Sequence, residues 1–187
     1  MIRLGFAMCG SFCTFDSVLP ELRALARHYD VTPILSPAAA TTDTRYYLAD
    51  SFVREVREIC GREPITTLEA AEPIGPKKLL DVLCVAPCTG NTLSKLAAGT
   101  ADTSVTFACK AHLRNGRPLV LGISTNDGLA AAAVNIGELL GRKHYYFVPF
   151  GQDDPEHKPT SLVADFSLLQ PAIEAALEGR QLQPLLV

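Results

Sequence analysis

Nothing in this 187-residue sequence forms the basic patch that nucleic acid demands, because 17 Lys and Arg stand against 20 Asp and Glu for a net charge of −3. Without surplus cations, binding to a phosphate backbone is excluded as a main role. No stretch approaches the roughly 18 apolar residues of a membrane span. Low-complexity tracts and blocks of one charge are absent as well, which excludes a disordered or fibrous chain. Both common phosphate fingerprints are missing: no G-x-G-x-x-G follows the first apolar run, and G-x-x-x-x-G-K-[ST] occurs nowhere. A standard dinucleotide fold and a P-loop are therefore disfavoured. The first residues, IRLGFAM, read as a strand rather than as a basic and then apolar leader, and the expected location is cytoplasmic.

What is present suits a globular chain, with 48% hydrophobic and 20% charged residues. The length fits one domain over 1–187. Six cysteines include two C-x3-C pairs, Cys9/Cys13 and Cys84/Cys88. That spacing is not typical of zinc, and no histidine lies near, so reduced thiols serving as small apolar fillers are expected, and no metal.

Short apolar runs alternate with helical patterns along the chain. Strands are expected at 2–8, 31–36, 79–87, 118–123 and 145–150. Val18, Leu22, Leu25 and Tyr29 mark a first helix, and Pro20 requires that it begin near Asp16 or Ser17 or bend there. Leu48, Phe52, Val56 and Ile59 mark a second, closed by Gly61. Further helices are expected at 92–98, 102–114, 128–140 and 166–178, with loops at 36–46, 61–78 and 150–164. This order predicts a three-layer α/β fold, a parallel sheet with helices on both faces.

In such a sheet, ligands bind beyond the carboxyl ends of the strands. The segments expected there are CGSFCT, SPAAATT, PCTGNT and STNDG. Gly10 permits close backbone approach, and Ser11 and Thr14 carry hydroxyls able to donate to phosphate oxygens. Any one of these loops is explained by helix capping; their gathering at one rim points to a small phosphorylated cofactor. For an anionic substrate the candidate cations are Arg45, Lys77, Lys78, Lys110 and Arg114. Arg45 ranks first because it stands among Thr42, Asp43, Thr44 and Tyr46 at the same rim. Lys95 reads as cover for the exposed face of its helix. The segment PFGQDDPEHKP reads as a solvated turn, a lid or a partner contact.

With GS after the first strand, APCTGNTLSKLAAGTAD at 86–102 and NDG after a later strand, the sequence resembles the flavoprotein family that includes flavin-dependent cysteine decarboxylases. Through TDTRYY, AEPIGPKKLLD, APCTGNTLSKLA, RNGRPLVLGISTND, PFGQDDP and QPLLV it is more similar to the dipicolinate synthase B subunits of endospore-forming bacteria. The resemblance implies a Rossmann-like flavoprotein fold, an oxidoreductase role in sporulation and FMN as cofactor. It also implies a separate A subunit carrying NADP, a small dicarboxylate substrate and a homo-oligomer, trimeric or larger. Carried over by position, Gly10, Ser11 and Ser36 hold the phosphate, while Pro87, Thr89, Gly90, Asn91 and Thr92 line the ribityl chain and ring, with Thr14 counted among the cofactor-binding residues. Ser124 and Thr125 complete that set. Asn126 matches the family's substrate-side asparagine; it and Asn91 are the implied catalytic residues, and Arg45 joins Asn126 as substrate-binding. Ser124 and Thr125 replace the decarboxylases' proline and methionine. No histidine matches their catalytic one within 36–60, and no Gly-rich clamp bearing cysteine occurs near GQDDPEHKP. Cysteine decarboxylation is not expected, and a non-catalytic partner with a vestigial flavin pocket stays open as the second reading.

Overall fold

The run RLGFAM is buried at every position after Arg3 and forms β1 (Arg3–Met8), as expected of a strand covered on both faces. A computed structural model describes all of residues 1–187. Parallel to β1 run β2 (Asp30–Leu35) on one side and the fully buried β3 (Val82–Cys88) on the other, followed by β4 (Leu119–Thr125). The short β5 (Tyr145–Phe147) extends the parallel sheet beside the first half of β4. The order β2–β1–β3–β4 reverses direction between β1 and β3, so a crevice is expected beyond the ends of those two strands.

The helices are α1 (Phe15–Leu25), α2 (Pro37–Thr41), α3 (Ala49–Cys60), α4 (Leu68–Ala71), α5 (Gly90–Ala98), α6 (Ser104–Leu113), α7 (Ala133–Leu140) and α8 (Leu169–Leu177). α1 and α8 pack together on one face of the sheet, while α6 covers β2, β3 and β4 from the other with α4 and α5 beside it. One apolar cluster runs from Leu4 to Ala176 and joins the three layers.

Several expected boundaries move. The loops at 36–46 and 61–78 contain α2 and α4, each started by a side-chain cap, Ser36 and Thr67. The helix expected from 128 begins at Ala133, because the Asp127 carbonyl accepts the Ala130 and Ala132 N–H groups and holds 128–132 in tight turns. The strand expected over 145–150 stops at Phe147. Phe150–Gly151 forms β6, antiparallel to β7 (Leu162–Ala164), which itself pairs with Ser124 and Thr125. Ser124 and Thr125 are thus strand residues, and the expected 150–164 loop is a hairpin. Pro20 sits inside α1 on an exposed face, where water can satisfy the Asp16 carbonyl that its missing N–H leaves unpaired.

At the amino ends of the strands, Asp81 accepts from the Arg3 backbone N–H at 2.9 Å and from its guanidinium at 2.6 Å, with Arg117 at 3.3 Å. The hydrogen bonds from Arg3 outweigh partial burial and hold the Asp81 carboxyl down at about 2. Because this folded value lies below the ordinary 3.8, the stabilisation is present above that value and disappears as pH falls toward about 2. Asp81→Asn should lower the melting temperature near neutral pH by about 2–4 °C. It should also flatten the loss of stability between about pH 4 and pH 2, as followed by circular dichroism.

Candidate flavin site

Beyond the carboxyl ends of β1 and β3 the chain leaves two cavities that meet at Gly10 and Thr89. The first, about 460 Å3, lies between the starts of α2 and α5 and is lined by Ser36, Asn91, Thr92, Lys95 and Thr103. The second, about 360 Å3, lies beside the end of β4 and is lined by Ser11, Thr14, Gly90, Ser124, Thr125 and Asn126.

The α5 cavity has the chemistry of an anion site. Thr89 caps α5, its hydroxyl oxygen accepting the Thr92 N–H at 3.3 Å, so the helix begins at Gly90 with N–H groups that have no acceptor inside the helix. Ser36 caps α2 in the same way through Ala39 at 3.2 Å. Capping uses an oxygen lone pair and leaves the Ser36 hydroxyl proton free to donate, so capping and ligand binding coexist in that residue. Lys95 is the one cation on the wall, with Asp102 at 3.0 Å. It is therefore more than cover for an exposed helix face. Its position one turn after Asn91 puts it on the same face as that asparagine, a signal available from spacing alone. Thr92 donates to the Cys9 sulfur at 3.2 Å, and burial pushes the Cys9 thiol up to about 11. Cys9 is a neutral wall element and not a nucleophile at neutral pH. All six cysteines are free.

The β4 cavity is polar in a different manner. Ser11 and Ser124 bring their hydroxyl oxygens to 2.8 Å across its floor, and Thr14 donates to the Ser11 carbonyl at 2.8 Å. Thr125 is hydrogen-bonded to Asp127. Gly90 permits a close approach here, since a Cβ on it would lie 2.7 Å from the Thr125 hydroxyl oxygen and 2.9 Å from an Asp127 carboxylate oxygen. Asn126 is exposed at the mouth; its carbonyl accepts from Thr160 at 2.6 Å, while its side-chain amide makes no hydrogen bond. Phe12 and Tyr46 supply the aromatic walls.

The structure gathers most of the residues singled out from sequence and separates them into two lobes. Gly10 and Thr89 stand between the lobes; Ser36, Asn91 and Thr92 line one, and Ser11, Thr14, Gly90, Ser124, Thr125 and Asn126 the other. Asn91 and Asn126 therefore face different lobes. Pro87 is buried inside β3, where its carbonyl accepts the Cys9 N–H at 3.1 Å. Arg45 is on the wall of neither cavity; its guanidinium lies 4.9 Å from the centre of the Tyr46 ring and donates to the Tyr46 hydroxyl at 2.7 Å. Of the segment read as a solvated turn, a lid or a partner contact, Asp153 and Lys158 reach the β4 cavity on the β6–β7 hairpin, and with them Ser161, which the sequence reading did not single out.

An anion-accepting lobe joined to a lobe with two aromatic walls fits FMN. Ser36, Lys95 and the start of α5 would hold the phosphate, and Gly10 with Thr89 would border the chain toward the ring.

A sequence model of the flavoprotein family matches residues 1–133, the part of the chain that builds both cavities apart from the hairpin. The dipicolinate synthase B subunit of Bacillus subtilis is 44% identical over 99% of this chain and 93% of its own length. The crystal structure of the dipicolinate synthase B subunit from Bacillus halodurans superposes with a TM-score of 0.91 at 43% identity, covering 100% of this chain and 96% of that one. A dodecameric FMN-dependent UbiX-like decarboxylase from Escherichia coli superposes with a TM-score of 0.63 at 28% identity, covering 79% of this chain and 80% of that one. With the matched residues spanning β1 to β4 and the strand exits that shape the crevice, the chain belongs to the flavoprotein family.

Proposed function

We propose that this chain binds FMN across the two cavities and acts, as one domain over residues 1–187, as the B subunit of a dipicolinate synthase. It works in the cytoplasm of a sporulating cell together with a separate A subunit that carries NADP. The single observation that carries the reading is the junction of the two lobes at Gly10 and Thr89, one suited to an anion and the other to a planar group. The 44% identity to a dipicolinate synthase component supports the choice of reaction.

Oxidising a dihydropyridine dicarboxylate to pyridine-2,6-dicarboxylate removes one hydride and one proton; from a hydroxy-tetrahydro precursor, water leaves first. The chemistry supplied by bound FMN is hydride acceptance. This chain's residues bind and orient: Lys95 and the α5 N–H groups neutralise the phosphate, Ser124 and Thr125 hold the floor, and the free Asn126 amide faces the substrate. Leu129 and Val134, 53% and 72% exposed just beyond Asn126, offer an apolar strip that a second copy would cover. Together with the dodecameric relative, this supports a homo-oligomer.

Turnover by the isolated A subunit is to be compared with that of the mixture, following formation of the pyridine by absorbance. The reading expects product only from the mixture, and about a tenfold lower rate with Asn126→Ala, whose amide is one neutral donor in a half-open site. Full turnover without this chain refutes an obligatory role. An unchanged rate with both Asn91→Ala and Asn126→Ala leaves the partner-only reading in possession.

A further inference from the structure

The β4 cavity carries one ion pair on its wall, and it comes from outside the residues that match the family. Asp153 and Lys158 both lie in the β6–β7 hairpin, beyond residue 133, with the Lys158 ammonium 3.3 Å from the Asp153 carboxylate. The hairpin is fastened over the cavity at its far end. Leu129 donates its N–H to the Thr160 carbonyl at 2.9 Å, the Thr160 hydroxyl donates to the Asn126 carbonyl at 2.6 Å, and Gln152 donates to the Pro159 carbonyl at 2.8 Å. Close docking also requires Gly128, since a Cβ there would lie 2.7 Å from Leu162. The ion pair is thereby held at the same mouth as Asn126, opposite Ser11 and Ser124. Arg45, the cation favoured from sequence, is occupied by Tyr46, which leaves Lys158 as the only cation on this wall.

We propose that Lys158 receives one carboxylate of the substrate and that Asp153 is the internal carboxylate that this group displaces. The hairpin thus sets selectivity for an anionic planar substrate, a function that rests on the dicarboxylate reading above and that the family-matched part of the chain does not supply. Asp153 is suited to being a stand-in. Partial burial disfavours its charge, but the hydrogen bond from Lys158 and the nearby Ser161 hydroxyl outweigh that and keep it ionised. An arriving carboxylate offers Lys158 the same charge-assisted hydrogen bond, and the released Asp153 shares the cavity wall with the Ser161 hydroxyl. Because Asp153 competes with the ligand, its removal should tighten binding, which a purely structural clasp would not do.

Calorimetric titration of pyridine-2,6-dicarboxylate, and of pyridine-2-carboxylate for comparison, into FMN-saturated protein tests this. Lys158→Met should weaken the dicarboxylate by ~tenfold, and Asp153→Asn should strengthen it by ~threefold, as expected for a half-exposed charge-assisted contact. FMN affinity, measured separately by fluorescence, should stay within about twofold in both variants, because the phosphate lobe is elsewhere. Unaltered dicarboxylate binding in Lys158→Met overturns the proposal, as does weakening by both variants alike, which marks a clasp. If FMN fails to bind while the dicarboxylate still depends on Lys158, the flavin reading falls and this one stands. If FMN binds and no dicarboxylate does, the reverse holds.

Discussion

Asn91→Asp should raise the dissociation constant for FMN by about a hundredfold while leaving the protein as stable as before or slightly more so. The two effects have opposite signs for one reason. Asn91 is the second residue of α5 and lines the α5 cavity. A carboxylate there faces the positive end of the helix and should stabilise it by about 0.3–1 kcal/mol. On the proposed placement of FMN, the same carboxylate would face the cofactor's phosphate. Two unit charges about 4 Å apart repel by ~4 kcal/mol at an effective dielectric of 20, and partial screening reduces this to roughly the 2.7 kcal/mol of a hundredfold change. The substitution is nearly isosteric, so packing does not intervene. A melting temperature that holds or rises while FMN affinity collapses separates loss of the ligand from loss of the fold. Unchanged affinity would mean that no phosphate lies near the start of α5.

The largest effect on stability is expected from Phe15→Ala. Phe15 is fully buried and stacks on Phe52 with ring centres 4.1 Å apart and planes 8° from parallel. Phe12 and Tyr47 meet its edges at 5.6 and 5.8 Å. Truncating such a ring should cost about 3–5 kcal/mol in lost transfer and residual cavity. For a domain of this size that is a drop of about 10 °C in melting temperature. Function should suffer as well, because Phe12 lines the β4 cavity and the Tyr47 hydroxyl donates to Asp16 at 2.5 Å, fastening the segment that carries Tyr46. Phe15→Leu, which refills most of the space, should recover more than half of the loss by calorimetry. A drop below about 3 °C in the alanine variant would contradict this account of the cluster.

The parallel layers were legible because β1, β3 and β4 are continuous apolar runs and α3 repeats Phe52, Val56 and Ile59 on one face, although Leu48, read with them, is the exposed residue just before the helix. The gathering of hydroxyl residues at one rim followed, since alternation of strands and helices sends every carboxyl end to the same edge. What escaped were features set by contacts remote in sequence. Ser124 and Thr125 read as loop because nothing local reveals that β7, nearly forty residues on, would pair with them. The same pairing carried Lys158 onto the β4 cavity. Arg45 read as a site cation by its neighbours, but an exposed arginine takes the partner its rotamers reach first, here the adjacent Tyr46 ring. Pro87 read as a ligand contact by motif position, while the backbone buries it in β3.

The most direct test of the central claim, that the strand exits form one crevice for a planar group bearing phosphate, is equilibrium titration of the purified protein with FMN and with riboflavin, followed by flavin fluorescence. Saturable FMN binding with a dissociation constant below about 10 µM, and riboflavin at least about tenfold weaker, is the predicted result. Equal affinity for the two, or no saturation by FMN at about 100 µM, would contradict it.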